Sequence, residues 1–559
     1  MPLYKDLSRL GRVAIWAGPI TTIAVTPTIS FDPINPGKLL AISTLGFASL
    51  FVLVHQVFKL RNVHPLKWLT VATAFFILQM ILVFFFSGSN ILQEFYGTSG
   101  RNTGFLAYFT LIILMIATAF GADRSNLDFF IKALLVTGGI STAYGFFQFL
   151  GIDPANWLNP YSPVIGFLGN PDFQSAFLGI VSTVIVGLLL DSKTSKMFKV
   201  VMVMNLLVTV VVILETKAQQ GILVTIIGVS SVTYLHIIQK RKKVVSALVT
   251  AIGVMGGLLV AFGSLNKGPL ADKLYSGTIT FRGDYWRAGW KMTVEHPFFG
   301  VGLDNYGDWY RRARTVEATI RRGPGVTSDT AHNVFLDFSS NGGVLWLSAY
   351  LLLIGLTLFA VFRLFNKNKS KDSKIIALIA AWVAFQAQSL ISINQIGLAI
   401  WGWLLMGFII GYGFNNESNE MAKTIAPPSK LSNKRPQTSP SFVILLFLGA
   451  LTGLTIALPN FLSDVKFHSA LKSQQVEPII ASARAWPQDS VRMARVVGVL
   501  RENQLNDQAL KLARESVIRF PEFFGSWNEL SQIPTATPEE KAQAKAQMKR
   551  LDPHNPDLK

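Results

Sequence analysis

Apolar runs of about 18 to 22 residues, long enough to cross a ~30 Å hydrocarbon core as helix, recur along the first 460 residues and then stop. They lie near 12–31, 38–58, 67–87, 103–122, 130–150, 172–190, 199–215, 221–238, 244–263, 339–362, 374–392, 397–414 and 441–460, and so predict thirteen spans. Two polar stretches interrupt or follow this rhythm: a long loop at 264–338, and a Pro-, Ser- and Asn-rich linker at 415–440.

From Ser463 the apolar runs give way to helical periodicity, with Ala483, Val491, Ala494, Val497, Leu500, Ala509, Leu512, Ala513 and Val517 spaced for paired amphipathic helices. Pro487 and Pro521 lie 34 residues apart and Pro553 follows 32 later. A helix-turn-helix period of 34 is that of tetratricopeptide repeats, and NDQALKLARESVIRFP resembles the second helix of such a unit. A plain helical hairpin without a binding role is the other reading. The fold class expected is all-α: a polytopic membrane helical bundle over 1–462 and a helical-repeat domain over 463–559.

Charge orients the bundle. With the N-terminus on the cytoplasmic side, the cytoplasmic segments hold twenty-three Lys and Arg, from Lys5, Arg9 and Arg12 to Lys434 and Arg435. The short loops of the other side hold only Lys38, Arg101 and Lys217. The positive-inside rule therefore places the 264–338 loop and the C-terminal domain outside the cytoplasm. The first run, flanked by Pro27 and Pro33 with no small-x-small site before Asp32, reads as an uncleaved span rather than a signal peptide.

Composition agrees and excludes. Half of the 559 residues are apolar and 15% are charged, a balance that belongs in a bilayer. The net charge of +19 is met by cytoplasmic loops and lipid headgroups, and no basic, aromatic-interleaved module speaks for nucleic acid. The absence of cysteine removes thiolate nucleophiles and thiolate metal sites. His296 and His332 lie 36 residues apart with no HExxH, so no metal or other cofactor is expected.

Candidate chemistry gathers at the membrane edge. Arg282, Trp286 and Trp290 recur at i, i+4, i+8, which suits either a displayed Arg beside an aromatic stripe or an interfacial anchor. His332 precedes a span in TSDTAHNVFLD, as a structural or a reactive histidine. The turn ETKAQQG places Lys217 at the outer bilayer edge, where a charge needs a partner: Glu215, water or an anionic ligand.

In this order the pieces resemble the bacterial O-antigen ligase and O-antigen polymerase superfamily, which also includes the protein O-oligosaccharyltransferases. The resemblance rests on Arg282 with Trp286, on HPFFGVGLDNYG, on AHNVFLD followed by SSNGGVLWL, and on GFLGNPDFQSAFL at 166–178. It implies metal-independent, inverting transfer of a glycan from a polyprenyl diphosphate to an acceptor hydroxyl, at the outer face of the bacterial cytoplasmic membrane. Matched by motif, His332 would activate the acceptor and Arg282 would hold the diphosphate. The family's second arginine falls on the turn that here reads Lys217-Ala218-Gln219-Gln220, so Lys217 stands in as a point charge without a guanidinium fork. Arg287, Arg321 and Arg322 are further diphosphate candidates, with Asn333, Trp286 and Gln220 supporting the site from behind. The acceptor is a glycolipid, a growing glycan or a protein, and the repeats offer a surface to a protein partner. A polysaccharide polymerase of the same superfamily and a lipid or polysaccharide transporter are the alternatives.

Overall fold

The computed structural model describes residues 2–59, 66–155, 157, 162–239, 255, 269, 277–366, 372–425 and 439–558. Among them all regular structure is helical, as the hydropathy pattern requires of a lipid-spanning chain whose backbone bonds must close within each segment. The helices are α1 (Pro2–Ile23), α2 (Asn35–Lys59), α3 (Lys67–Phe86), α4 (Ile91–Tyr96), α5 (Phe105–Phe120), α6 (Arg124–Phe149), α7 (Pro171–Leu189), α8 (Lys196–Glu215) and α9 (Gln219–Gln239). After a gap in the described residues follow α10 (Gly277–Glu295), α11 (Tyr306–Ala313), α12 (Val316–Arg322), α13 (Val334–Asn366), α14 (Ser373–Ser389), α15 (Ile396–Ile425) and α16 (Pro440–Ser473). The tail holds α17 (Val476–Ala483), α18 (Ser490–Glu502), α19 (Asn506–Arg519), α20 (Phe524–Gln532) and α21 (Pro538–Leu551).

Nine described helices, α2, α3, α6, α7, α8, α9, α13, α15 and α16, are long and apolar enough to cross a membrane, and α5 is a shorter apolar helix. Helices α1 and α14 also coincide with expected spans, while the expected span at 244–263 lies, apart from residue 255, outside the described residues. Helix α15 is wrapped almost completely by its neighbours, whereas α8, α9 and α16 leave most of their apolar surface on the outside of the bundle. Helix α16 lies against α2 where a Cβ on Gly449 or Gly453 would come within 2.3 Å of the Phe47 or Ser43 carbonyl oxygen. This is the small-residue contact that lets two helix backbones meet in lipid.

The two ends of the bundle differ. At one end Arg12 donates to Asn126, Arg124 pairs with Asp372, and Lys374 lies 2.5 Å from Asp128. At the other end Lys38 is fully buried and donates to the carbonyls of Thr21, Thr22 and Ala24, so its charge caps the C-terminus of α1. That second end carries α4, α10 to α12 and the tail.

Three boundaries differ from the sequence reading. Helix α1 starts at Pro2 and ends at Ile23, ahead of the expected 12–31. Helix α15 continues to Ile425, so the first eleven residues of the expected 415–440 linker are helical. Helix α16 runs unbroken through the boundary drawn at 462–463 and joins membrane and tail as one rod. Hydropathy marks where an apolar surface ends, while helix hydrogen bonding propagates past it.

In the tail, α18 packs on α19 and α20 on α21 around a shared core that includes Val497, Leu500, Leu512, Ala513, Trp527 and Leu530. The tail is held to the loop helix α11 by charge. Arg314 Nη2 lies 2.8 and 2.6 Å from the two Asp552 oxygens, with both side chains buried, and Arg311 Nη1 adds a bond of 3.0 Å to the same carboxylate.

Candidate functional site

The span α13 begins at Val334 because Asn333 caps it: Asn333 Oδ1 accepts from the Phe335 and Leu336 N–H groups at 3.0 and 3.1 Å. Its amide also donates to the Leu390 carbonyl, which ties the start of α13 to the end of α14. One turn on, Asp337 Oδ1 accepts from Ala331 N–H at 2.8 Å, and Asn341 Oδ1 accepts from the Asn305 and Tyr306 N–H groups at 3.0 Å each. The polar face of AHNVFLDFSSN is thus a ladder that pins its own entrance loop and the LDNYG loop together.

The ladder closes at a break in the helix. Gly343 sits at φ +78, where a Cβ would come within 2.5 Å of the Phe298 backbone, so only glycine fits. The carbonyls freed there accept from Val301 and Gly302 N–H at 2.8 and 3.1 Å, and Val344 N–H reaches the Pro297 carbonyl at 2.8 Å. HPFFGVG and SSNGG therefore interlock through backbone bonds. Beneath them Phe338 meets Trp346 and Tyr350 at 4.5 Å each and Tyr108 at 5.3 Å, an aromatic floor that fixes the first turns of α13.

His332 stands on this platform at φ +49, half-buried, with its ring 5.1 Å from that of Tyr285 on α10. Burial pushes its pKa below the usual histidine value; Asp329 raises it in part, while Arg101, Arg282 and Arg322 lower it further. The imidazole is therefore neutral at pH 7 and free to accept a proton.

Three arginines thus act on the charge of one histidine. Arg282 also acts on Asp172 at the start of α7, and among the described residues no carboxylate lies within ion-pair distance of it. Arg322 stacks on the rings of Phe281 and Tyr285 at 4.3 and 4.9 Å and bonds the Tyr285 hydroxyl. Arg101 arrives from the loop before α5. That loop is anchored by Asp304, whose carboxylate accepts from Thr98 N–H, Thr103 N–H and Thr103 Oγ1 at 2.8, 3.1 and 2.9 Å. Arg101 Nη1 lies 3.4 Å from Asp329 Oδ2, and although burial works against its charge, Asp329 and Asp304 outweigh that and hold the guanidinium ionised.

The other sequence candidates are placed as follows. Arg287 and Arg321 both bind the buried Asp284 carboxylate, at 2.6 Å and at 2.9 Å to each oxygen, so their charges are already engaged. Trp286 is exposed on α10 with Trp290, Val294 and Phe298 following along the same side. Lys217, at φ +58 in the turn between α8 and α9, lies 2.8 Å from Glu215 and also lines a cavity of about 740 Å³. The same wall holds Asn170, Pro171 and Asp172 at the N-terminus of α7, and Ala218 just ahead of α9. Two helix N-termini thus present their positive ends beside a lysine. Gln220, the second residue of α9, is buried with neither amide atom hydrogen-bonded among the described residues.

Arg101 escaped the sequence reading, yet a signal was there. It is one of three cations in short loops on the side that the charge rule leaves bare. Of the other two, Lys38 is a helix cap and Lys217 a cavity wall.

Residues 203–351 match a family model described as O-antigen ligase. The match covers Lys217, Arg282, His332 and both interlocked loops, and it supports the O-antigen ligase superfamily for this chain as a membrane glycosyltransferase domain. Arg101 and the tail lie outside it. No curated protein matches the chain.

Proposed function

We propose, with that O-antigen ligase domain as the premise, that the protein transfers a glycan from a polyprenyl diphosphate carrier to an acceptor hydroxyl at the outer face of a bacterial cytoplasmic membrane. The observation that carries the reading is the His332 imidazole, held neutral by burial in the field of Arg101, Arg282 and Arg322, with Arg282 also acting on Asp172 in the wall of the Lys217 cavity. A diphosphate leaving group gathers negative charge as the anomeric C–O bond breaks, and fixed cations stabilise it. Arg282, Arg322, Lys217 and the starts of α7 and α9 supply such charge. An acceptor hydroxyl is a weak nucleophile at neutral pH, and a neutral imidazole within reach can take its proton.

In this reaction the acceptor oxygen attacks the anomeric carbon on the face opposite the diphosphate. Its proton passes to the His332 imidazole. The bond to the phosphate oxygen breaks with its electron pair, and polyprenyl diphosphate departs with inversion at carbon. The polyprenyl chain lies against the apolar outer surfaces of the bundle. The N-terminus is cytoplasmic and the tail extracytoplasmic, in keeping with the twenty-three basic residues on one side. Whether the acceptor is a glycolipid, a glycan or a protein distinguishes ligase from polymerase from protein glycosylation, and the donor chemistry is common to all three.

The test is His332→Ala and Arg282→Ala in cells, following transfer of lipid-linked glycan on gels. Transfer is expected to vanish with accumulation of the lipid-linked donor. Full transfer by either variant overturns the role given to that residue.

A further inference from the structure

A second cavity, of about 610 Å³, opens between the outer loops and the tail. Asp308, Asp329, Thr327 and Ser99 belong to its loop wall, and Phe523, Phe524, Asn528 and Asp557 to its tail wall. Three of these are carboxylates. The basic residue of the lining, Arg311, is bonded to Asp552 and stacked 4.2 Å over the Phe524 ring. A phosphate would meet repulsion here. A sugar would meet carboxylate and amide acceptors for its hydroxyls and aromatic rings for its C–H faces.

The loop wall of the cavity also carries a near neighbour of the proposed base. Asp329, whose side chain is 55% exposed, stands three residues before His332, acts on the charge of its imidazole and pairs with Arg101. The donor cavity under Lys217 has different walls, from the 27–34 turn and the starts of α7 and α9. We propose that the carbohydrate end of the acceptor binds in this second cavity, between loop and tail, and that the tail is thereby part of the acceptor site. The proposal rests on the glycosyl-transfer reading above. The acceptor hydroxyl comes to His332 past Asp329 and yields its proton there. Its oxygen takes the anomeric carbon, and the diphosphate leaves on the Lys217 side. The buried Arg314 and Asp552 pair keeps the two walls at a fixed separation, so recognition and chemistry are positioned by one contact.

The chain has no cysteine, so a single thiol reports on one wall. The full-length protein in nanodiscs, as N528C or as P27C in the donor cavity, is labelled with a maleimide. One probe is the oligosaccharide fraction released from the envelope of the producing cells, and the other is polyprenyl diphosphate. Oligosaccharide at about ten times its Kd is expected to slow labelling of N528C about tenfold and to leave P27C unchanged, with the reverse for polyprenyl diphosphate. Unchanged labelling of N528C, with P27C still protected by polyprenyl diphosphate, overturns the acceptor site and leaves the transfer reading standing. Failure of polyprenyl diphosphate to protect P27C overturns the donor site instead. Protection of N528C by an envelope peptide fraction and not by oligosaccharide also overturns the proposal. T327C, in the facing wall, repeats the measurement if N528C does not fold.

Discussion

The cavity under Lys217 and the cavity under the tail differ first in charge. In the former the only carboxylate of the lining among the described residues is Asp172, which lies within the field of Arg282, and two helix N-termini face the space. In the latter three carboxylates, of which Asp329 pairs with Arg101, stand among the described residues beside one arginine that is itself bonded to Asp552. The loop of His332 lines the second cavity through Thr327, Ser328 and Asp329, and in the proposed reaction its neutral imidazole serves one substrate that is an anion and one that is a hydroxyl. For the proposed reaction, the difference teaches how electrostatics would tell the two substrates apart before they meet. An anionic donor is drawn to cations, and an uncharged acceptor is admitted where a phosphate is refused.

The largest expected effect removes the proposed base. His332→Ala should lower kcat by about 10²–10⁴, the range of a positioned base, with donor binding retained, as read by transfer assay alongside binding of lipid-linked glycan. Next, the two cavities should respond separately. Lys217→Ala should raise donor KM and leave acceptor KM unchanged, and Lys217→Arg should recover or improve on the native value, because a guanidinium grips a phosphate through two bonds. Asn528→Ala should do the opposite, with acceptor KM up about tenfold for the loss of roughly one hydrogen bond. A variant that moved both constants together would break the comparison.

The contact that keeps the tail wall in place should be costly to cut on one side. Asp552→Ala leaves Arg314 buried and unpaired and should destabilise tail docking by about 3–5 kcal/mol, read as faster protease cleavage within 463–559. Arg314→Met together with Asp552→Leu should restore only part of that loss, because Arg311 still loses its bond to Asp552.

The smallest effect is a matter of pH. The reactive form of His332 is neutral, and burial holds its pKa down, so activity should persist as pH falls past ~6.5, with its acid limb below that value. Asp329→Asn removes the influence that raises this pKa and should move the limb further to acid. Arg322→Gln removes one that lowers it and should move the limb back up. A limb at or above ~6.5 in the native protein would contradict the neutral, buried imidazole.

Much of this was legible in residue order. Apolar runs gave the helices of the bundle, because a lipid-facing surface leaves its period in the sequence. AHNVFLD and HPFFGVGLDNYG marked the candidate site, because capping, turn and close-approach positions demand particular residues in fixed spacing. What stayed hidden depends on contacts between distant segments. Nothing local says that Asp284 absorbs both Arg287 and Arg321, the latter 37 residues away, or that Asp552 meets Arg314 across 238. Arg101 carries no motif, and it acts on the charge of His332 from a loop that Asp304 ties to LDNYG. Helix ends were misplaced where hydropathy stops before the hydrogen bonds do, as at Ile425 and in α16.

The most direct test of the account is a cell-free one. Purified full-length protein and its His332→Ala variant are given lipid-linked glycan and an envelope acceptor fraction, and the release of polyprenyl diphosphate is followed over time. The account predicts that release by the variant falls to background while the lipid-linked glycan still binds; release at the native rate would contradict it.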